Sequence, residues 1–276
     1  MQLQTLAGIF SAAVATYLIR KALMPGDSRE AWDRAMLGNV GAAIAWAAMA
    51  LLTAILFLAI APRAIASDYR PVLPGNAAKD LPVLADEIGL LWPDLTMASV
   101  LAAQVEQESG WKPSARLKTE REEGAGYGQF TRSYRADGSL RFDALAEVAS
   151  MDPSLKHWTW ADRYNPRMQL RAVVVKNRGC YWRVAKLAAD DYNTLAMCDS
   201  AYNGGEGGLM AERRLCGQTA GCDPARWFGN VERTSTKSTA KWHGYGMSAR
   251  DINRTHVVNV MVKRRPKYAA WFGEPA

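Results

Sequence analysis

Residues 96–111 read Thr96-Met97-Ala98-Ser99-Val100-Leu101-Ala102-Ala103-Gln104-Val105-Glu106-Gln107-Glu108-Ser109-Gly110-Trp111, and their reading decides the fold class. The run is rich in helix formers, free of proline, and ends on a glycine suited to a left-handed C-terminal turn. Asp94 or Thr96 is placed to cap its start. Met97, Leu101, Val105 and Glu108 follow at intervals of four, four and three, which puts them on one stripe of the cylinder. Glu108 is therefore expected on the apolar face. Glu106, about 200° away around the axis, shares its face with Ser99, Ala102 and Ala103 and is expected in solvent. A carboxylic acid at a helix C-terminus, turned toward apolar surroundings, is suited to delivering a proton to a glycosidic oxygen.

Outward from this helix the pattern stays helical. Helices are expected over 96–109, 142–151, 166–175, 181–189, 190–202 and 255–263, with functional loops over 111–139 and 204–245. No long strand-like alternation and no repeat is visible, so the class is mainly α. Composition agrees with a folded chain: 276 residues, 49% hydrophobic and 22% charged, with a net charge of +7 that suits a polyanionic partner as well as a plain solvated surface. The four cysteines, Cys180, Cys198, Cys216 and Cys222, are clustered without a CxxC pair. The short loop 216–222 can close on itself, leaving Cys180 with Cys198; the alternative is four buried thiols.

The first third reads as a membrane device. Between Arg34 and Arg63 there are 28 uncharged positions, enough to cross a hydrocarbon core, and a milder uncharged segment spans 3–19. The expected spans are 3–19 and 38–61 within an anchor of residues 1–66. Arg20, Lys21, Arg29 and Arg34 keep their side in the cytoplasm and send the remainder outward. Ala64-Ile65-Ala66 fits a signal-peptidase site, but the apolar run is longer than a signal core, which favours an anchor in the inner membrane. Residues 67–93, with Pro71, Pro74, Pro82 and Pro93, read as a stiff tether, and 94–276 as the folded domain in the periplasm.

Three separated segments carry the chemistry: Gln107-Glu108-Ser109-Gly110-Trp111-Lys112-Pro113, Gly126-Tyr127-Gly128-Gln129-Phe130 and Ala201-Tyr202-Asn203-Gly204-Gly205. In order and spacing they resemble the lytic transglycosylases, a lysozyme-like family related to goose-type lysozyme. The likeness covers about 110 residues. It implies a lysozyme-like helical catalytic domain, here preceded by one or two transmembrane helices. It also implies cleavage of the MurNAc–GlcNAc β-1,4 bond of peptidoglycan strands with a 1,6-anhydro product and no cofactor. Carried over residue by residue, Glu108 is the acid/base and Ser109 a substrate contact beside it. Gln129 and Tyr202 are cleft hydrogen-bonders, and Asn203 shapes the cleft floor. Tyr127 and Phe130 are expected as aromatic faces for sugar rings. The setting implied is a phage endolysin or a wall-opening part of a conjugation or secretion machine.

Departures from the family pattern are Tyr127-Gly128 in place of an apolar pair, the charged stretch Arg116–Gly124, and Glu206 after the glycines. Glu122, Glu123 or Asp137 could bring a second carboxylate, as a hydrolytic muramidase commonly uses; a non-catalytic wall-binding protein is the third reading. His157, His243 and His256 are scattered without metal-site spacing, so no metal is expected. Gly204–Gly208 lacks the Lys-Ser/Thr of a phosphate loop, and Lys263-Arg264-Arg265 comes without a nucleic-acid reader motif, so no nucleic acid is expected.

Overall fold

The computed structural model describes residues 72–241 and 246–275. Both expected membrane spans lie outside the described residues, and among those described no helix is long and apolar enough to cross a membrane.

Part of the expected tether is instead the first helix, α1, Ala77–Leu91. Its prolines suggest an extended chain, but Ala77, Leu81, Leu84 and Ile88 form a buried stripe, and that stripe outweighs the single interior Pro82. The folded unit thus starts ahead of residue 94. Helix α2, Ser99–Ser109, is the quoted stretch, and it ends as expected on Gly110 with φ 59°. Its start differs: neither Asp94 nor Thr96 caps it. The Thr96 hydroxyl donates to Asp191 at 2.8 Å, and the Ser99 amide donates to Glu274 at 3.0 Å, so a carboxylate from the far end of the chain serves the helix dipole.

Residues 116–134, expected as loop, and 140–143, where the helix expected over 142–151 begins, form a four-stranded antiparallel sheet in sequential order: β1 (Arg116–Lys118), β2 (Glu122–Ala125), β3 (Phe130–Tyr134) and β4 (Leu140–Asp143). β1 and β4 alternate over only three and four residues, too short a run to mark a strand, and their apolar Leu117, Leu140 and Phe142 stay exposed. Charge pairs knit the sheet instead: Arg116 meets Glu123 at 2.9 Å and Arg132 meets Asp143 at 2.6 Å. Asp143 also accepts from the Leu145 and Ala146 amides, capping helix α3, Ala144–Met151.

Helix α4, Pro166–Val184, runs unbroken where two shorter helices are expected. Asn177, which interrupts the apolar pattern, is buried and hydrogen-bonded to Gln104 of α2 at 2.7 Å. Next come α5 (Asp191–Gly204) and α6 (Glu206–Gly217), the latter in a stretch expected as loop because of its glycines. Helix α7 (Ala249–Val257) passes through a π segment, Val258–Arg264, into α8 (Arg265–Phe272). Pro266 offers no N–H to the ladder, which accounts for the change of helix type at that point.

Helix α2 is the axle of the domain. It packs on α4, α8 and the π segment, while α5 packs on α4, α6 and α7. Residues Ser99 to Val105 are buried all round, so the face with Ala102 and Ala103 is core and not solvent. Glu106 is likewise covered: Lys267 Nζ lies 2.6 Å away, and the Tyr268 hydroxyl donates to its second oxygen. Cys180–Cys198 and Cys216–Cys222 stand at disulfide distance, with Cα atoms 5.7 and 5.3 Å apart. The first pair joins α4 to α5 and the second closes the loop after α6.

Candidate active site

Glu108 ends the buried helix α2 at the wall of an open cleft of about 1060 Å³, on which Ser109, Gln129, Tyr202 and Asn203 also open. The side chain is 15% exposed, enough to be reached by a ligand while most of it stays out of water. A second hollow of about 1310 Å³ shares Phe142, Ala144, Lys176, Tyr202 and Asn203 with the first, so the two make one long trough.

The three sequence segments meet here for local reasons. Gly110 and then Trp111, at φ 58°, reverse the chain after α2. Trp111 is buried, and its indole N–H donates to the Tyr268 hydroxyl at 2.8 Å. The Gly126–Gln129 turn packs so tightly that a Cβ on Gly128 would lie 2.5 Å from the Tyr202 hydroxyl. That hydroxyl donates to the Gly128 carbonyl at 2.7 Å, tying α5 to the turn. Gln129 adopts φ 43°, and its amide donates to the Gly126 carbonyl at 3.0 Å, holding the side chain at the cleft edge. Ser109 Oγ donates back to the Val105 carbonyl at 2.9 Å. Asn203 Oδ1 accepts from Asn253 at 3.1 Å, which links the cleft floor to α7.

Two expected residues are elsewhere. Tyr127 is fully buried, edge-on to Trp111, with its hydroxyl donating to Asp80 of α1 and its amide to Gln169 at 2.6 Å. Burial, then Asp80, pushes the Tyr127 hydroxyl far above the ordinary tyrosine range. It is a core residue and presents no face to a sugar, because the left-handed Gly126 turns it inward. Phe130 is also core, perpendicular to Trp158. Of the candidate second carboxylates, Glu122 opens on the same cleft as Glu108. Glu123 is held by Arg116 and Arg163, and Asp137 sits in the exposed turn between β3 and β4.

The structure adds a constellation that spacing does not reveal. His256 Nε2 lies 2.9 Å from Glu108 Oε1, and its Nδ1 lies 2.9 Å from Asp199 Oδ2. Asp199 Oδ1 accepts from Gln104, whose own carbonyl accepts from Asn177. Asp199, Gln104, Asn177 and His256 are all buried. Burial opposes a charge on the imidazole, but Asp199 and then Glu108 outweigh it and raise the His256 pKa to about 10. His256 stands 148 residues from Glu108 in the chain, and no motif marks the pair. Lys176 completes the wall, its ammonium 4.6 Å from the Tyr202 ring centre. Burial lowers its pKa against the pull of Glu147, Glu108 and Glu206.

Among the described residues no group of three His, Cys, Asp or Glu side chains could hold a metal ion. No protein-family model and no curated protein matches the sequence.

Proposed function

We propose that this chain is a peptidoglycan lytic transglycosylase that cleaves the MurNAc–GlcNAc β-1,4 bond with Glu108 as its single acid/base. The observation that carries the reading is a largely buried glutamate at a helix end, opening on a long trough beside amide and hydroxyl side chains from two distant segments. Neutral Glu108 gives its proton to the bridging oxygen as the glycosidic bond breaks. The resulting carboxylate then takes the proton of the C6 hydroxyl as that oxygen bonds to the anomeric carbon, which closes the 1,6-anhydro ring. Gln129, Asn203 and Ser109 serve as partners for sugar hydroxyl and N-acetyl groups. An inner-membrane setting with the domain in the periplasm belongs to the same proposal.

Glu122 on the same cleft favours one second reading, a hydrolytic muramidase with two carboxylates. Mass spectrometry of digested sacculi decides between them. Anhydro ends are expected from the wild type and none from Glu108→Gln. Reducing MurNAc ends, abolished by Glu122→Gln as well, would replace the transglycosylase reading with the muramidase. Full activity in Glu108→Gln would sink both.

A further inference from the structure

An enzyme that works with one carboxyl must let that group swing between neutral and anionic in every turnover, in a place where an unpaired anion is costly. Glu108 is in that position, and the group against it is His256, itself backed by a buried carboxylate. We propose that His256 and Asp199 form a fixed cationic clamp on Glu108. In this clamp an imidazolium that keeps both N–H protons throughout the cycle orients the carboxyl through Oε1. It also stabilises the negative charge that Glu108 acquires on releasing its proton. The inference rests on Glu108 being the acid/base.

The geometry favours a clamp over a simple core tie. With both ring nitrogens 2.9 Å from a carboxyl oxygen, an imidazolium donates to both at once. A neutral ring donates to Asp199 alone and must hold the Glu108 proton at Nε2, withdrawing it from the oxygen left for the substrate. Asp199 is fixed from behind by Gln104, which Asn177 holds in turn, so the ring cannot rotate away without breaking a buried chain. The second oxygen of Glu108 bonds to no described residue and is left for the substrate. Proton bookkeeping closes on Glu108 alone: one proton leaves for the bridging oxygen and one returns from the C6 hydroxyl, while His256 neither gains nor loses any.

Of Arg254, Lys176, Arg264 and Lys267, on the elements packed here, all but Lys176 are paired with other residues. On its own helix Arg254 pairs with Glu212. From α5, Tyr202 is bonded to Gly128 and kept neutral by burial, Glu108 and Asp199. From α4, Lys176 lies over the Tyr202 ring, where burial opposes its charge against the pull of Glu147, Glu108 and Glu206. From the π segment and α8, Arg264 and Lys267 turn to Glu106.

The test uses the full chain on purified sacculi, with kcat and KM followed against pH for wild type, His256→Gln, Asp199→Asn and Glu108→Gln. His256→Gln is expected to lose roughly 100-fold in kcat, the loss seen when one donor aimed at developing charge is removed, with KM changed by less than about threefold. Asp199→Asn is expected to acquire a new alkaline loss of kcat from about pH 7, as the imidazole without its brace gives up its proton. A wild-type profile in Asp199→Asn, merely scaled down, or wild-type kcat in His256→Gln, overturns the clamp. Nuclear magnetic resonance of ¹⁵N-histidine in the unaltered chain needs no variant to fold: the His256 ring is expected protonated at about pH 8, and a neutral ring there refutes the idea. Glu108→Gln keeps the two readings apart. If it is as active as wild type, the acid/base reading fails and the clamp with it; if it is inactive while His256→Gln is not impaired, the clamp alone fails.

Discussion

Replacing Gly126 by alanine tests how the turn that carries Gln129 is held. Gly126 has φ 73°, and a left-handed backbone costs alanine about 1–2 kcal/mol. A Cβ there would also lie 2.3 Å from the Gln169 amide, so that amide must move. It is not free to do so: Gln169 is fully buried, accepts from the Tyr127 amide at 2.6 Å, and donates to the Pro113 and Arg163 carbonyls at 2.9 Å each. Losing two or three buried hydrogen bonds at about 1 kcal/mol each brings the total to about 3–5 kcal/mol. Gly138 is the control, with φ 81° and no atom within 4 Å of the place a Cβ would take, so Gly138→Ala carries only the backbone strain. The assay is urea unfolding followed by near-ultraviolet circular dichroism, with Gly126→Ala repeated in a Gln169→Ala background. There its cost is expected to fall to about 1–2 kcal/mol. Equal destabilisation by Gly126→Ala and Gly138→Ala would refute the reasoning.

Tyr127→Phe leaves the buried Asp80 carboxyl without its hydroxyl partner and is expected to cost about 1–3 kcal/mol of stability with KM on sacculi unchanged; a raised KM would return Tyr127 to the cleft. Cys180→Ser with Cys198→Ser removes a link spanning 18 residues between α4 and α5, an expected loss of about 3 kcal/mol by chain-entropy arithmetic, read from the same unfolding curves. His256 has a folded pKa raised from 6.5 to about 10, so its contribution to stability is complete below pH 6.5 and is lost as pH rises through 10. Unfolding measured across that window should show stability falling with pH in the wild type and a shallower fall in His256→Gln; parallel slopes would count against a charged His256.

Where a single helix carries its own punctuation, the sequence is readable. Gly110 ends α2 as expected, and the three motifs, met in order along the chain, bring Glu108, Ser109, Gln129, Tyr202 and Asn203 to one cleft. The misreadings share a cause. Helical phase locates a face but not what covers it: Glu106 is expected in solvent because nothing near it in the chain announces that Lys267 and Tyr268 lie over it. Tyr127 misleads in the same way, since its inward turn depends on Gly126 and on Asp80, 47 residues back. The sheet is hidden because its outer strands are only three and four residues long and almost wholly exposed. α1 is hidden because Pro82 and the prolines that flank the helix draw more weight than a stripe of four apolar residues. His256 is the extreme case, a lone histidine whose two partners come from helices that precede it by 57 and 148 residues.

The contact between Ser99 and Glu274 has a consequence in time. A ribosome delivers α2 before any of its walls: α4 follows first, and the π segment, α8 and the carboxylate at its start come only with residues 258–274. Until then α4 alone of these three walls is present to cover the apolar surface of α2. A nascent chain stalled after Lys241 would hold Glu108, Gln129, Tyr202 and Asn203, but not His256. The clamp proposed for Glu108 therefore has no histidine until residues 249–257 have been made and have packed against α5.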